Sequence, residues 1–382
     1  MKVLIATMAA MAETAGPSSR TRMLVGKLNA LGVETATCQA EDINYKKLSG
    51  VKNYYLTIPM PLGLPKFYAS HVFPVVQKLG INRVKAVNSF DEVLHLTGNT
   101  DYGYLVKSVD DIRCAIRDFD PDIVYSEFNM SAIIAAKLED RRLYISASYP
   151  TQHGFAHNAK YSVGLNRFLG ECGLGRLDSC LQLFDLADKK LIPSCRELDP
   201  LQGDNVVFCG TFKDAPVLKE TKRDKILVYM GNGTVSQKRM VREISAAFVA
   251  DKYQVYIAGR SLKEETTGNI HVAPYFDFDA LLPETVLYIN HGGQNSVIDG
   301  LINGVPELIA AGKIFERRYN AESVVKAGAG LSLGEREFNA QVIRQKADQI
   351  INDRRFSENA LRVGKELTGI SFPSELFTQE RI

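Results

Sequence analysis

From Val286 to Pro306 the chain reads VLYINHGGQNSVIDGLINGVP, and few folds accommodate that order. Val286, Leu287, Tyr288 and Ile289 form a short apolar run suited to a strand buried on both faces, and it stops at Asn290-His291-Gly292-Gly293. Val297, Ile298, Leu301 and Ile302 then recur at helical spacing, with Asn295, Asp299 and Asn303 on another face, until Gly304-Val305-Pro306 closes the helix. Strand, glycine turn and helix in that order leave a helix N-terminus whose free N–H groups and dipole favour a phosphate or diphosphate. His291 sits on the turn, where a cationic or N–H-donating imidazole adds to that field, and Asp299 lies one turn in from Asn295, placed to accept from sugar hydroxyls. A plainer reading fits the same spacing: His291 caps the turn and Asp299 is solvated surface.

The spelling HGGQNSVIDGLINGVP resembles the donor-binding signature of the UDP-glycosyltransferases, the nucleotide-sugar enzymes that include the macrolide, glucuronosyl and plant secondary-metabolite transferases. That signature has His-x-Gly, Asn-Ser, a carboxylate three residues after the Ser, and Gly-Val-Pro. Its continuation, an acid-amide pair and then Asn-Ala, is similar to Phe315-Glu316-Arg317-Arg318-Tyr319-Asn320-Ala321. The resemblance is sharp over Leu281 to Pro306, diffuse over most of Lys225 to Gly369, and mainly topological before that. It implies two Rossmann-like α/β domains facing across a cleft, the GT-B architecture. The implied activity is hexosyl transfer, with inversion and without a metal or other cofactor, from a UDP- or TDP-sugar to a hydroxyl of a small-molecule or lipid acceptor.

Carried over residue by residue, the resemblance puts His291, Gly292, Gly293, Gln294 and the helix N-terminus at the diphosphate leaving group. It puts Asn295 and Ser296 on phosphate oxygens, Asp299 on the ribose, and Glu316, Arg317 and Asn320 near the donor sugar. An Arg at 317, where relatives have an amide, favours an acidic sugar or else pairs with Glu316. The family also carries a His between the first strand and first helix that deprotonates the acceptor. Here the corresponding text is Ser18-Ser19-Arg20-Thr21-Arg22, with no His from Met1 to Ser70.

At 382 residues the chain exceeds what one core usually accommodates, so two domains are expected: 1–213 for the acceptor, 222–369 for the donor, and a tail, 370–382, crossing back. A net charge of +2, from 46 basic and 44 acidic residues, argues against a general nucleic-acid or membrane surface. Six scattered cysteines without a C-x-x-C pair fit reduced thiols, and neither a secretory signal nor a membrane-length apolar run is present, so a cytoplasmic protein is expected. The Tyr- and Pro-rich text from Tyr54 to Phe73 reads as a pocket wall or loop, with peripheral membrane contact as the other reading.

In chain order, Lys2 to Thr7 is a first strand, Thr21 to Leu31 a helix, and Val33 to Thr37 a second strand, the opening of a doubly wound fold. Residues 40 to 107 read as irregular, with a helical piece near Phe73 to Gly80; a helix follows over Asp110 to Phe119. The strand Pro121 to Glu127 ends in a carboxylate expected at the cleft. Glu127 is the first candidate for the missing base and Glu13 the reserve, while Ser19 holds its proton too tightly to act alone. Capping the helix Ser131 to Leu138 is the alternative role for Glu127. His153 and His157 suit an acceptor pocket better than a metal, for want of a third ligand.

In the second half, the strand ending at Met230 runs into Gly231-Asn232-Gly233-Thr234, another glycine turn at a strand's carboxyl end, before a helix over Lys238 to Phe248. Tyr275, Phe276 and Phe278 occupy the place of the family's base-stacking segment, with core packing as the competing reading. Helical patterns span Phe338 to Phe356 and Ser357 to Gly369. An epimerase of the same fold is a second class, although the first-domain loops are poor in acids and bases. A non-catalytic helper is the third, which the missing His favours and the donor signature opposes.

Overall fold

The computed structural model describes residues 1–10, 15–41, 45–63, 86–156, 158–216, 221–231 and 235–378. Its strands form two seven-stranded sheets. The first comprises β1 (Lys2–Thr7), β2 (Glu34–Ala40), β3 (Lys52–Leu56), β4 (Ile123–Glu127), β5 (Arg142–Ser146), β6 (Lys189–Ile192) and β7 (Val206–Phe208), all pairs parallel, in the order β3-β2-β1-β4-β5-β6-β7. The second comprises β8 (Lys225–Tyr229), β9 (Gln254–Ala258), β10 (Glu265–Thr267), β11 (Ile270–Ala273), β12 (Thr285–Asn290), β13 (Glu307–Ile309) and β14 (Gly330–Ser332), in the order β10-β11-β9-β8-β12-β13-β14. It is antiparallel at the β10–β11 edge.

Helices cover both faces. The first half has α1 (Ala15–Ala30), α2 (Phe90–Leu96), α3 (Tyr102–Phe119), α4 (Met130–Leu138) and α5 (Val163–Glu171). The second has α6 (Gln237–Phe248), α7 (Phe278–Leu281), α8 (Gln294–Ile302), α9 (Phe315–Lys326), α10 (Ala340–Asn352) and α11 (Arg354–Gly369), followed by α12 (Glu375–Thr378). Alternation along β1 explains the layering: Leu4 and Ala6 join a core with Ile112 and Ile116 of α3 and Ile133 of α4, while Val3 and Ile5 face Leu24 and Leu28 of α1. This is the doubly wound arrangement, in which ligand crevices open beyond the carboxyl ends of the strands where strand order reverses. Those points are β1/β4, with Thr7 opposite Glu127, and β8/β12, with Tyr229 opposite Asn290.

Several boundaries differ from expectation. Helix α1 begins at Ala15, so Ser18, Ser19 and Arg20 lie in its first turns instead of a loop. The Gly-Pro-Ser text reads as a loop, but Pro17 loses little in a first turn, where its missing N–H has no helical partner anyway. Helix α3 starts at Tyr102, two turns before Asp110, because Asp101 caps it by accepting from the Tyr104 amide at 3.0 Å. Residues 40 to 107 hold β3 and α2, and the helix expected near Phe73 to Gly80 lies outside the described residues. The pattern from Phe338 to Phe356 is split at Asp353, whose side chain caps α11 by accepting from Arg355 N.

After α11 the chain returns to the first sheet, where Phe377 of α12 is fully buried with Val3, Ile5 and Tyr125 and meets the Tyr144 ring edge-on at 5.6 Å. Among the described residues no helix is long and apolar enough to cross a membrane.

Candidate active site

The turn after β12 is built from glycine for a measurable reason. Gly292 has φ +78°, and a Cβ there would stand 2.8 Å from the carbonyl oxygen of Arg317. A Cβ on Gly293, the N-cap of α8, would lie 2.6 Å from His291 Nε2, and one on Gly231, at φ +55°, 3.1 Å from the same ring. The imidazole is thus held between two backbone segments that only glycine lets this close. Side chains grip the turn from both sides: Gly292 N donates to Asn290 Oδ1 at 2.7 Å, and Asn320 Nδ2 donates to Gly292 O at 2.8 Å.

His291 is 9% exposed, and its ring meets that of Tyr229 edge-on at 5.5 Å. Burial first, and then the nearby Arg317 guanidinium, push its pKa down to about 3. The imidazole is therefore neutral at ordinary pH. This corrects the cationic alternative, because the turn that seats the ring also strips it of water.

Gln294, Asn295 and Ser296 make up the first turn of α8. Gln294 Oε1 accepts from Arg20 Nη1 of the first half at 3.1 Å, so the helix start is tied across the cleft. Asn295 and Asp299 line a void of about 20 Å³ with Arg20, Thr211, Phe212 and Lys213. Asp299 is not solvated surface: its carboxylate pairs with Lys213 Nζ at 2.6 Å, and burial raises its pKa against the opposing pull of that lysine. Glu316 and Arg317 occupy the first turn of α9.

The aromatic trio separates. Phe278 packs edge-on against Tyr229 at 5.6 Å and Tyr288 at 6.2 Å, and Phe276 against Tyr256 at 5.2 Å. Both are half-buried in these ring contacts within the second domain. Tyr275, 77% exposed, presents its ring to solvent. Asn232, Gly233 and Thr234 lie outside the described residues.

On the first-domain side, Glu127 ends β4 as expected, but it is 1% exposed and both oxygens are engaged. Oε1 accepts from Arg20 Nε at 2.7 Å, and Ser146 Oγ donates to Oε2. The Arg20 guanidinium lies over the Phe128 ring, 5.4 Å from its centre. The expectation of a free base facing the crevice is corrected, because a buried carboxylate adjoining an arginine is a structural ion pair. Nor does Glu127 cap α4; Asn129 does, accepting from Ala132 N at 3.0 Å. Ser19 is half-buried on α1, and His153 is exposed on a short helical turn. Glu13 and His157 lie outside the described residues.

Arg20 and Lys213 are the residues that sequence reading passed over. A buried Glu127 demanded a cationic partner, and the Ser-Ser-Arg-Thr-Arg text offered one.

Residues 253–380 match the family described as erythromycin biosynthesis protein CIII-like, C-terminal domain. Among relatives, the aclacinomycin-T 2-deoxy-L-fucose transferase of Streptomyces galilaeus is 27% identical over 135 residues, which is 35% of this chain and 30% of that protein. The chain thus spans about a third of the length of that relative. Over nearly its whole length the chain superposes on solved structures: on the calicheamicin glycosyltransferase CalG4 with TM-score 0.73 at 16% identity, covering 98% of this chain and 96% of that one. On the spinosyn rhamnosyltransferase SpnG complexed with thymidine diphosphate the TM-score is 0.71 at 14% identity, covering 98% of each. The fold is GT-B.

Proposed function

We propose that the chain, which matches the erythromycin CIII-like C-terminal domains over residues 253–380 and is built on the GT-B fold, is a nucleotide-sugar glycosyltransferase. The observation that carries this is the His291-Gly292-Gly293 turn at the β8/β12 switch point, opening the N-terminus of α8 toward the first domain. Backbone N–H groups, the helix dipole and the imidazole converge where a diphosphate leaving group gains charge. The neutral imidazole meets the arriving diphosphate as an N–H donor. The spelling of the donor turn and SpnG's thymidine diphosphate support a UDP- or TDP-sugar.

In this reading a sugar passes to a hydroxyl of a small-molecule or lipid acceptor in one displacement, with inversion and without a metal. The bond from the anomeric carbon to the diphosphate oxygen breaks with its electron pair leaving on the diphosphate. The acceptor oxygen bonds to the opposite face, and its proton goes to a base, for which Glu13 is the remaining candidate from the sequence. Asp299 reaches the ribose only by giving up Lys213.

The test is calorimetry with UDP, TDP and GDP, followed by release of free nucleoside diphosphate from a panel of nucleotide sugars. His291→Ala is expected to weaken diphosphate binding by about 1–3 kcal/mol, the scale of a charge-assisted hydrogen bond. A wild-type protein that binds none of these nucleotides, or a variant that binds as well as wild type, removes the assignment. The Arg20–Glu127 pair, standing where a base is expected, favours a second reading: a helper that binds the nucleotide without turnover. Tight nucleotide binding with no diphosphate release would establish it.

A further inference from the structure

We propose that Glu307, a buried carboxyl that the transfer reaction does not use, is the positioning residue of the donor turn: through Asn290 it fixes the Gly292 amide beside His291. The proposal rests on the nucleotide-binding reading for its functional meaning, although its structural content does not.

Glu307 opens β13, directly after Pro306, and pairs in register with Tyr288 of β12. Both Glu307 and Asn290 are 0% exposed. Glu307 Oε2 accepts from Asn290 Nδ2 at 2.7 Å, and Asn290 Oδ1 accepts from Gly292 N at 2.7 Å. The relay has a fixed direction, since Asn290 spends its amide nitrogen on the carboxyl and therefore turns its oxygen to the turn. With Asn320 on the opposite carbonyl, both polar groups of Gly292 are held by side chains instead of strand neighbours.

The surroundings make an accidental carboxyl improbable on energetic grounds. A buried acid with one oxygen unpaired is costly, and Glu307 Oε1 has no hydrogen-bond partner among the described residues. Burial raises its pKa well above the usual carboxyl value, against the Asn290 bond. Helix α8 also concedes room for it: a Cβ on Gly300 would stand 2.5 Å from Glu307 Oε1. A glycine inside a helix is less favourable than an alanine. Two unfavourable choices, the glycine and the acid, are both explained by one gain, an Asn290 that cannot rotate away from the turn.

The experiment compares wild type with Glu307→Leu, Glu307→Gln and Asn290→Ser. Gln keeps the acceptor for Asn290 Nδ2 and Leu removes it. Hydrogen exchange at the Gly292 amide, measured without nucleotide, should accelerate about tenfold in Glu307→Leu and Asn290→Ser, the scale of one net hydrogen bond, and stay near wild type in Glu307→Gln. UDP affinity should fall about tenfold in the same two variants, while uridine affinity is unchanged, and Glu307→Leu should add nothing on top of Asn290→Ser. Unaltered Gly292 exchange in a folded Glu307→Leu, or Glu307→Gln as damaging as Leu, would overturn the relay. Should Glu307→Leu not fold, Asn290→Ser breaks the same link from its other end and decides. A wild-type protein without UDP affinity would end the nucleotide reading, and the exchange measurement would still decide the relay.

Discussion

At the scale of single residues, His291 makes folding stability depend on pH in a particular window. Its pKa is lowered from 6.5 to about 3 in the fold, so between those values the unfolded chain binds a proton that the folded protein refuses. The stability associated with a neutral His291 is complete above pH 6.5 and drains away as pH falls toward 3. At about 1.4 kcal/mol per pH unit the loss amounts to a few kcal/mol. Urea unfolding from pH 7.5 to pH 4, a range chosen to span most of that window, should show wild type losing ground to His291→Asn as the solution is acidified. Parallel curves for the two proteins would mean that the imidazole keeps its water. Asp299 on α8 and Glu307 on β13 shift the other way, burial raising both against the opposing pull of Lys213 on the one and the Asn290 amide on the other.

At the scale of elements, the packing of α11 on α8 sets how firmly the helix after the His291 turn is backed. Gly364 lies at the crossing, and a Cβ there would come within 2.0 Å of the Leu301 carbonyl oxygen. Gly364→Ala should therefore push the helices apart and cost about 1–3 kcal/mol, read as a lower urea midpoint with an unchanged slope. An unchanged midpoint would show that the crossing has slack. Elements like β12 and α8 were legible in the sequence because an apolar run, a glycine turn and a helical stripe are local signals. The strand β13 was not: Glu307-Leu308-Ile309 has too few residues for a period, and a leading Glu argues against burial until its Asn290 partner is known. Likewise Glu127 was placed correctly at a strand end, yet its partner Arg20 lies 107 residues away in sequence, a pairing that spacing does not reveal. The start of α1 was hidden by turn-forming residues that the first turn of a helix accepts equally well.

At the scale of the whole molecule, the two halves interlock through more than a linker. Val87 N donates to Lys313 O at 3.0 Å and Phe315 N to Val87 O at 2.9 Å, and the Phe315 side chain joins the core of the first domain with Phe90, Phe128 and Phe184. In return Cys195 and Leu198 pack with the second-domain helices, Tyr149 stacks on Tyr319 at 5.5 Å, and Tyr319 Oη donates to Leu198 O at 2.8 Å. The tail contributes as well: Phe377→Ala should remove about 3–5 kcal/mol from the first domain's stability, since its ring is wholly buried there. Denaturation followed by a first-domain probe would show it, and an unchanged transition would mean that the tail is only resting on the surface.

The exchange of Phe315 for Cys195 and Leu198 also bears on any attempt to recombine this chain with a relative. Splicing at the linker after 213 would give the second half a phenylalanine with no socket and the first half a thiol and a leucine with nothing to cover them. A workable hybrid must instead be cut along the packing, carrying the segments around 87 and 194–201 together with the helices they meet, so the units that evolution or an engineer can trade are not the units drawn by the two sheets.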